Sequence, residues 1–258
     1  MNKNNLPIGI FDSGLGGLTV VHEIEKILPN EDIIYLGDTA RVPYGTRSKE
    51  IIQKFSKQDL EFLISKKVKC IVIACHTASS TASEYLQKNY GNIIKIFEVI
   101  TPTVEFSKKI KGKTVVLATR ATIQSKAFSK KLNSTDIACP LLVPFIEEGE
   151  VTGSLIKILV HKYLKGIKMD NLILGCTHYP IIENIIRDEV GEKVKLINPG
   201  VCTSLVVRNY LTENDLLKKS NKKGQLRIFV TDENSRFKKV AELFLGRKLK
   251  NNVQKVNL

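Results

Sequence analysis

Short apolar runs, each of strand length, recur along the chain and are mostly continuous rather than alternating. Strands of a parallel sheet that is covered on both faces show this pattern, because neither face meets water. We therefore predict strands at residues 8–11, 33–36, 70–74, 93–97, 114–118, 141–145, 172–174, 194–197 and 226–230.

Stretches with helical spacing of apolar residues lie between these runs. One covers residues 48–66, where Ile52, Phe55 and Leu63 fall on one side and Ser48 can cap the first turn. The regular alternation of strand and helix predicts an α/β fold with mostly parallel sheets flanked by helices. The other predicted helices are 18–28, 79–88, 123–132, 151–164, 181–190, 201–211 and 236–245.

The two halves of the chain echo each other. The strands IGIFDS (8–13) and VVLAT (115–119) are each followed, later in the same half, by a strand that ends in a cysteine, IVIACHT (71–77) and LILGCTH (172–178). Two echoes in the same order indicate an internal duplication and two pseudo-symmetric α/β domains. We predict a first domain of residues 1–100 with 211–258, and a second of 101–210.

Cys75 and Cys176 stand where these two apolar strands stop and polar residues begin. Open α/β folds bind ligands at this edge of the sheet, so the two thiols could face each other across a cleft between the domains. A helix N-terminus lowers the pKa of a thiol from about 8.5. The pair therefore predicts a base on one face of a small molecule and an acid on the other. We interpret Cys70, Cys139 and Cys202 as structural.

Two other interpretations of these motifs stay open. The turn DSGLGG (12–17) could bind a dinucleotide, although the third glycine of that motif is missing, could be a tight turn, or, best, could hold a small anionic group such as a carboxylate. Cys75, His76, Cys176 and His178 could bind zinc, but adjacent residues leaving a strand point in different directions. We expect no metal, and a His178 that orients a thiol or carries a proton.

Composition and charge add little to this prediction of the fold and the site. The net charge of +14 comes from 32 Lys and 8 Arg that are scattered along the chain, with no interleaved aromatic residues to stack bases, so we do not expect nucleic-acid binding. Five cysteines without a Cys-x-x-Cys pair, and an N-terminus without an apolar segment, indicate a reduced cytoplasmic protein. No apolar run has the length of a membrane span.

Taken together, the motifs resemble those of the glutamate racemases in the cofactor-independent aspartate/glutamate racemase superfamily. The resemblance runs through almost the whole chain, and its specificity comes from the order and distances of the motifs. They are FDSGLGGLTV (11–20), DTARVPYG (38–45), CHTAS (75–79), VPFIEEG (143–149), GCTHYP (175–180), and the stretch from 231–232 to 244–246.

This resemblance implies interconversion of L- and D-glutamate between two domains, for peptidoglycan synthesis, without pyridoxal phosphate or metal. It implies that Cys75 takes the α-proton of D-glutamate and Cys176 that of L-glutamate, and that each thiol protonates the opposite face. Asp12 supports Cys75, and His178 supports Cys176 with Glu147 nearby. The implied substrate contacts come from Asp12, Ser13, Pro43, Tyr44, Gly45, His76, Thr77, Thr119, Thr122, Thr177 and His178.

The chain departs from the family at His76, where an asparagine is usual. A histidine there could replace the asparagine contact, alter the pH profile through its ordinary pKa near 6.5, or change the substrate preference. The resemblance also implies a homodimer. Two alternatives stay open: a racemase of another acidic amino acid such as aspartate, and a partner-binding protein of the kind that restrains DNA gyrase.

Overall fold

A computed structural model describes residues 3–233, 237–249 and 253–258 of the chain. The strands in these residues are β1 (Ile8–Asp12), β2 (Ile33–Gly37), β3 (Cys70–Ile73), β4 (Lys95–Glu98), β5 (Thr114–Ala118), β6 (Ser134–Ala138), β7 (Asn171–Gly175), β8 (Lys195–Ile197), β9 (Leu226–Val230) and β10 (Val253–Lys255). Eight of the predicted apolar runs therefore coincide with strands.

The helices of the same residues are α1 (Leu18–Ile27), α2 (Lys49–Ser65), α3 (His76–Tyr90), α4 (Ile100–Ser107), α5 (Arg120–Gln124), α6 (Leu142–Glu147), α7 (Ser154–Leu164), α8 (Glu183–Val190), α9 (Pro199–Glu213) and α10 (Phe237–Leu245). The hydroxyl of Ser48 caps α2 as predicted, because it accepts a hydrogen bond from the Ile51 amide at 3.4 Å. Within the described part of the chain, no helix is long and apolar enough to span a lipid bilayer.

The strands form two sheets in which all neighbours are parallel. One sheet has the order β10-β9-β2-β1-β3-β4, and the other has the order β6-β5-β7-β8. The prediction of an α/β fold with two parallel sheets is confirmed. The C-terminal segment returns to the first sheet, where β9 pairs with β2. The domain boundaries stay a prediction, and α9 runs across position 211 while it packs on α1 and α4.

Two predicted elements of the second half are wrong. The apolar run 141–145 is not a strand but lies in α6, and the strand of that region is β6, whose sequence STDIA is polar and only half-buried. An edge strand needs no continuous apolar run, because one side meets solvent. The helix predicted at 123–132 is also wrong in extent, because α5 ends at Gln124. Residue 236, the predicted start of the last helix, lies outside the described residues.

A buried ion pair stabilises the first sheet at the amino-terminal ends of its strands. The Lys69 ammonium lies 2.5 Å from Glu31 Oε2, and both side chains are almost fully buried. The same ammonium donates to the carbonyl oxygens of Asn4 and Leu216, at 2.9 Å each. This contact joins the start of β3 to the segment between α9 and β9, at the end of the strands opposite to the two predicted catalytic thiols.

We expect Lys69→Met to lower the free energy of unfolding by about 3 kcal/mol, because the carboxylate of Glu31 would stay buried without its cation. Lys219→Met is the matched control, since Lys219 pairs with Asp215 at 3.1 Å on the exposed surface and should matter little. Urea unfolding followed by circular dichroism measures both. Equal midpoints for the two variants would contradict this interpretation of the buried pair.

Candidate active site

The two predicted catalytic thiols occupy equivalent places at the carboxyl ends of their sheets. Cys75 follows β3 and caps α3, and its sulfur accepts a hydrogen bond from the Ala78 amide at 3.4 Å. Helix α3 thus begins three residues earlier than predicted. Cys176 follows β7 and precedes a single 3₁₀ turn, Tyr179–Ile182. Each cysteine is 6% exposed, so both thiols lie in a closed site.

Cys75 sits among polar groups that come from the end of β1. Its Sγ donates to the Ser13 hydroxyl at 3.5 Å, and the charge of Asp12 is close enough to act on the thiol. Burial raises the pKa of Cys75 to about 12 and the negative Asp12 adds to this rise, while Ser13 and the Ala78 amide offset it only partly. The expectation of a lowered pKa is therefore wrong for Cys75 in the closed site, because desolvation exceeds the effect of the helix N-terminus.

Asp12 is itself buried beside Cys75. Its Oδ2 accepts from the Gly14 amide at 2.9 Å, and its Oδ1 has no hydrogen-bond partner among the described residues. Burial raises the pKa of this carboxyl, although the positive charge of His178 acts in the opposite direction. Asp12 thus has a free acceptor position in a closed site.

Cys176 has a different partner, a histidine held by a carboxylate. His178 Nδ1 lies 3.7 Å from Cys176 Sγ and 3.3 Å from Thr177 Oγ1, while His178 Nε2 lies 2.9 Å from Glu147 Oε1. Burial alone would lower the pKa of His178. Its hydrogen bonds to Cys176 and Glu147, together with their charges, outweigh burial and raise that pKa to about 10. The ring therefore carries a positive charge at neutral pH.

The turn after β1 touches the loop that carries Cys176, which brings the two halves of the site together. A methyl group added at Gly16 would lie only 2.3 Å from Thr177 Oγ1 and 2.5 Å from His178 Cε1. The Thr19 hydroxyl lies 2.8 Å from the Thr177 carbonyl oxygen and 2.9 Å from that of Gly16. Only a residue without a side chain fits at position 16.

A cluster of hydroxyl groups lies at the same junction between the domains. Thr77 Oγ1 is 3.3 Å from Thr119 Oγ1, which is 3.1 Å from Thr122 Oγ1. Gly45 faces this cluster, because a methyl group added there would lie 3.9 Å from the hydroxyl oxygens of both Thr77 and Thr119. These predicted substrate-binding residues therefore come together from both domains.

The Tyr44 side chain has its own partners within the first domain. It begins the turn Tyr44–Thr46 that follows the cis peptide Val42–Pro43, and its phenol is buried against the carboxyls of Asp38 and Asp59. The side chain of Tyr44 is thus occupied inside the first domain, so it can offer the substrate only its backbone. Pro43 is exposed beside it.

His76 is buried without a hydrogen bond. It is 3% exposed, and neither ring nitrogen has a hydrogen-bond partner among the described residues. Its ring stacks on Phe128 of the second domain, with 6.4 Å between centroids. Burial lowers the pKa of His76 to about 3. The expectation that His76 gains charge near pH 6.5 is therefore wrong, because the enclosed ring stays neutral.

The glycine-rich turn bears on the dinucleotide interpretation, and the contacts of His178 bear on the zinc interpretation. A side chain at Gly17 would lie 2.6 Å from the Asp12 side chain, so this turn is built for close packing rather than for a pyrophosphate. Both nitrogens of His178 are engaged, by Cys176 and by Glu147, which disfavours the zinc interpretation. The described residues contain no group of three side chains suited to a metal.

Sequence reasoning missed two residues that hold the Cys176 loop. Thr19 belongs to the first motif, but nothing in its spacing revealed the contact with Thr177 across 158 positions. Phe244 of α10 packs edge-on against His178, with 5.0 Å between ring centroids. The FLG sequence at 244–246 was part of the resemblance, and it is the signal that could have pointed to Phe244.

Known proteins are similar to this chain in sequence. A family model described as Asp/Glu/Hydantoin racemase matches residues 8–204. The chain belongs to this family. It is 40% identical to a glutamate racemase of Geobacter metallireducens over 254 residues, which cover 94% of this chain and 93% of that one.

Solved structures of two glutamate racemases are similar over nearly the full length. The enzyme of Francisella tularensis in complex with D-glutamate has a TM-score of 0.90 at 41% identity, covering 98% of each chain. The isoform RacE1 of Bacillus anthracis has a TM-score of 0.92 at 36% identity, covering 99% of this chain and 98% of that one. The two-sheet fold is thus the fold of glutamate racemases.

We expect His76→Asn to make folding less sensitive to acid. The pKa of His76 is about 3 in the folded protein and about 6.5 when unfolded, so the unfolded chain gains a proton below pH 6.5 that the folded chain does not. This costs about 2 kcal/mol of stability between pH 6.5 and 5 at 1.36 kcal/mol per unit. Urea unfolding of both forms at pH 7.5, 6.5, 5.5 and 5 measures it, and parallel losses in the two forms would contradict a neutral His76.

Proposed function

We propose that this protein interconverts L- and D-glutamate with two cysteines as acid and base, without a cofactor. The similarity to glutamate racemases over nearly the full chain supports the substrate. The observation that carries the mechanism is the unequal surroundings of two equally buried thiols. Cys75 lies beside the carboxyl of Asp12, whereas Cys176 lies beside the positively charged His178.

These surroundings suit a two-base reaction, in which one thiol must start ionised and the other protonated. The cation at His178 stabilises a thiolate on Cys176, and the anion and burial around Cys75 keep its thiol protonated. For L-glutamate, the Cys176 thiolate takes the α-proton and the Cys75 thiol donates a proton to the opposite face. The reverse reaction starts with the roles exchanged.

The remaining predicted residues would hold the substrate between the thiols. The substrate's carboxylates can accept from the hydroxyls of Ser13, Thr77, Thr119, Thr122 and Thr177. Gly45 faces this cluster, and the backbone of the preceding Pro43 and Tyr44 would approach the substrate beside it. The free oxygen of Asp12 can accept from the α-ammonium group. His76 would contribute shape and an uncharged hydrogen-bonding ring.

Aspartate is the less favoured substrate, since the similar relatives are glutamate racemases. Circular dichroism of the purified protein with L-glutamate, and separately with L-aspartate, without added cofactor, distinguishes the two. We expect the circular dichroism signal of glutamate to decay to zero. No change with either amino acid would contradict the proposal and favour a partner-binding role.

The homodimer, the cytoplasmic location and the supply of D-glutamate to peptidoglycan belong to the same proposal, by family resemblance.

We expect Cys75→Ala and Cys176→Ala each to reduce kcat for racemisation at least about a hundredfold, because either loss removes one proton carrier in both directions. Cys202→Ala is the matched control, since Cys202 is also 6% exposed but lies in α9. Rates with L- and D-glutamate measure all three variants. Near-normal racemisation without either proposed thiol would end the assignment.

We expect Glu147→Gln to move the alkaline fall of kcat/KM to lower pH by about one unit or more, because the charge of Glu147 helps to hold the proton on His178. His178 stays protonated below its raised pKa, so losing this support lets the proton leave earlier as pH rises. Glu150→Gln, an exposed acid nearby, serves as the control. A profile unchanged by Glu147→Gln would show that this carboxylate does not act through His178.

A further inference from the structure

A largely buried polar network, centred on the side chains of Tyr44, Asp38, Asp59 and Arg41, lies behind the turn that faces the threonine cluster. The hydroxyl oxygen of Tyr44, in this turn, lies 2.5 Å from Asp38 Oδ2 and 2.8 Å from Asp59 Oδ2. Arg41 bridges the same two carboxyls, with Nε 2.6 Å from Asp38 Oδ2 and Nη2 3.1 Å from Asp59 Oδ1. Both carboxyl side chains are fully buried. Arg41 also donates to Gln58 Oε1 at 2.5 Å.

The hydrogens of this network can be counted. The Tyr44 phenol has one hydrogen but lies within hydrogen-bond distance of two carboxyl oxygens, so one of them must carry a hydrogen of its own. Asp38 already receives donors on both oxygens, from Arg41 on Oδ2 and from the Thr231 hydroxyl on Oδ1 at 2.9 Å. Thr231 has a single hydroxyl hydrogen, and its oxygen also accepts from the Ala40 amide.

Asp59 is therefore the carboxyl with room for a hydrogen. Among the described residues its Oδ1 accepts from Arg41 alone, and its Oδ2 faces the phenol oxygen. One cation against one anion also balances the buried charge, whereas two carboxylates against Arg41 would leave an uncompensated charge. Burial and the nearby Asp38 raise the pKa of Asp59 well above its usual range, in agreement with the count.

We propose that Asp59 is a positioning residue that acts in its protonated form: it donates to Tyr44, Tyr44 donates to Asp38, and this chain fixes the turn that carries Gly45 against Thr77 and Thr119. The inference rests on the proposed function, since the turn is assigned to substrate binding there. Tyr44 is the buried anchor of the turn, while Pro43 and Thr46 are exposed beside it. Position 59 reaches the phenol because it shares the buried face of α2 with Ile52, Ser56 and Leu63.

The test compares the same carboxyl-to-amide substitution at two positions, which removes a charge only at Asp38. In Asp59→Asn the amide N–H can replace the carboxyl O–H toward Tyr44, and the amide oxygen still accepts from Arg41, so we expect KM for glutamate within about threefold of the unchanged protein. Asp38→Asn instead removes the one anion of the network, which accepts from both Arg41 and Tyr44. We expect KM to rise on the order of tenfold or more there, with a smaller change in kcat, because the turn is displaced.

Lys69→Met is the control for lost stability, since it breaks a buried ion pair at the opposite end of the strands and should leave KM unchanged. Infrared spectroscopy gives a readout that needs no activity: the unchanged protein should show a stretching band of a protonated carboxyl that is absent in Asp59→Asn. This measurement also applies if Asp38→Asn folds poorly, because the band is read in the unchanged protein against Asp59→Asn.

Three outcomes would overturn the inference: an Asp59→Asn variant with KM raised as much as in Asp38→Asn, an Asp38→Asn variant that is tolerated while Asp59→Asn is not, or a carboxyl band that survives in Asp59→Asn. A failure of the proposed function looks different. The unchanged protein would then show no racemisation, while the infrared comparison would still locate the proton.

Discussion

The site depends on one close approach, between the turn after β1 and the loop after β7. Gly16 leaves no space for a methyl group beside Thr177 and His178, and the Thr19 hydroxyl joins the same loop to its own turn. Parallel sheets bring functional groups to their carboxyl ends, but each sheet does this separately. Direct contact between the two edges brings the two half-sites together, with a buried thiol from each half.

Closure determines the chemistry of the site because it removes water. Desolvation raises the pKa of Cys75 and of Asp12 and lowers that of His76, so each ionisation state depends on the nearest partner. Burial alone would also lower the pKa of His178, but this pKa is raised because two partners, Cys176 and Glu147, stabilise the protonated ring. Two identical side chains at the ends of related strands thus lie in opposite electrostatic surroundings. Their unlike neighbours, rather than the duplicated strands, make the difference.

Much of the fold could be predicted from the sequence, because buried parallel strands appear as continuous apolar runs. Strand β6 could not, since its half-exposed edge sequence STDIA carries no such run, and the apolar residues 142–145 lie in helix α6 instead. The resemblance predicted which residues lie together in the site, but it did not predict the electrostatic environment of each one. Burial reversed the expectation for Cys75, and the inward phenol of Tyr44 and the role of Asp59 depend on distances that no motif encodes.

The two-thiol account is tested most directly by the origin of the α-hydrogen in the product. L-glutamate is converted in D₂O, and both amino acids are examined by mass spectrometry at the start of the reaction. A different group donates from the opposite face, so the account predicts deuterium in nearly every D-glutamate formed and little in the remaining L-glutamate. D-glutamate that keeps the original hydrogen would show that a single group both removes and returns the proton, and would contradict the account.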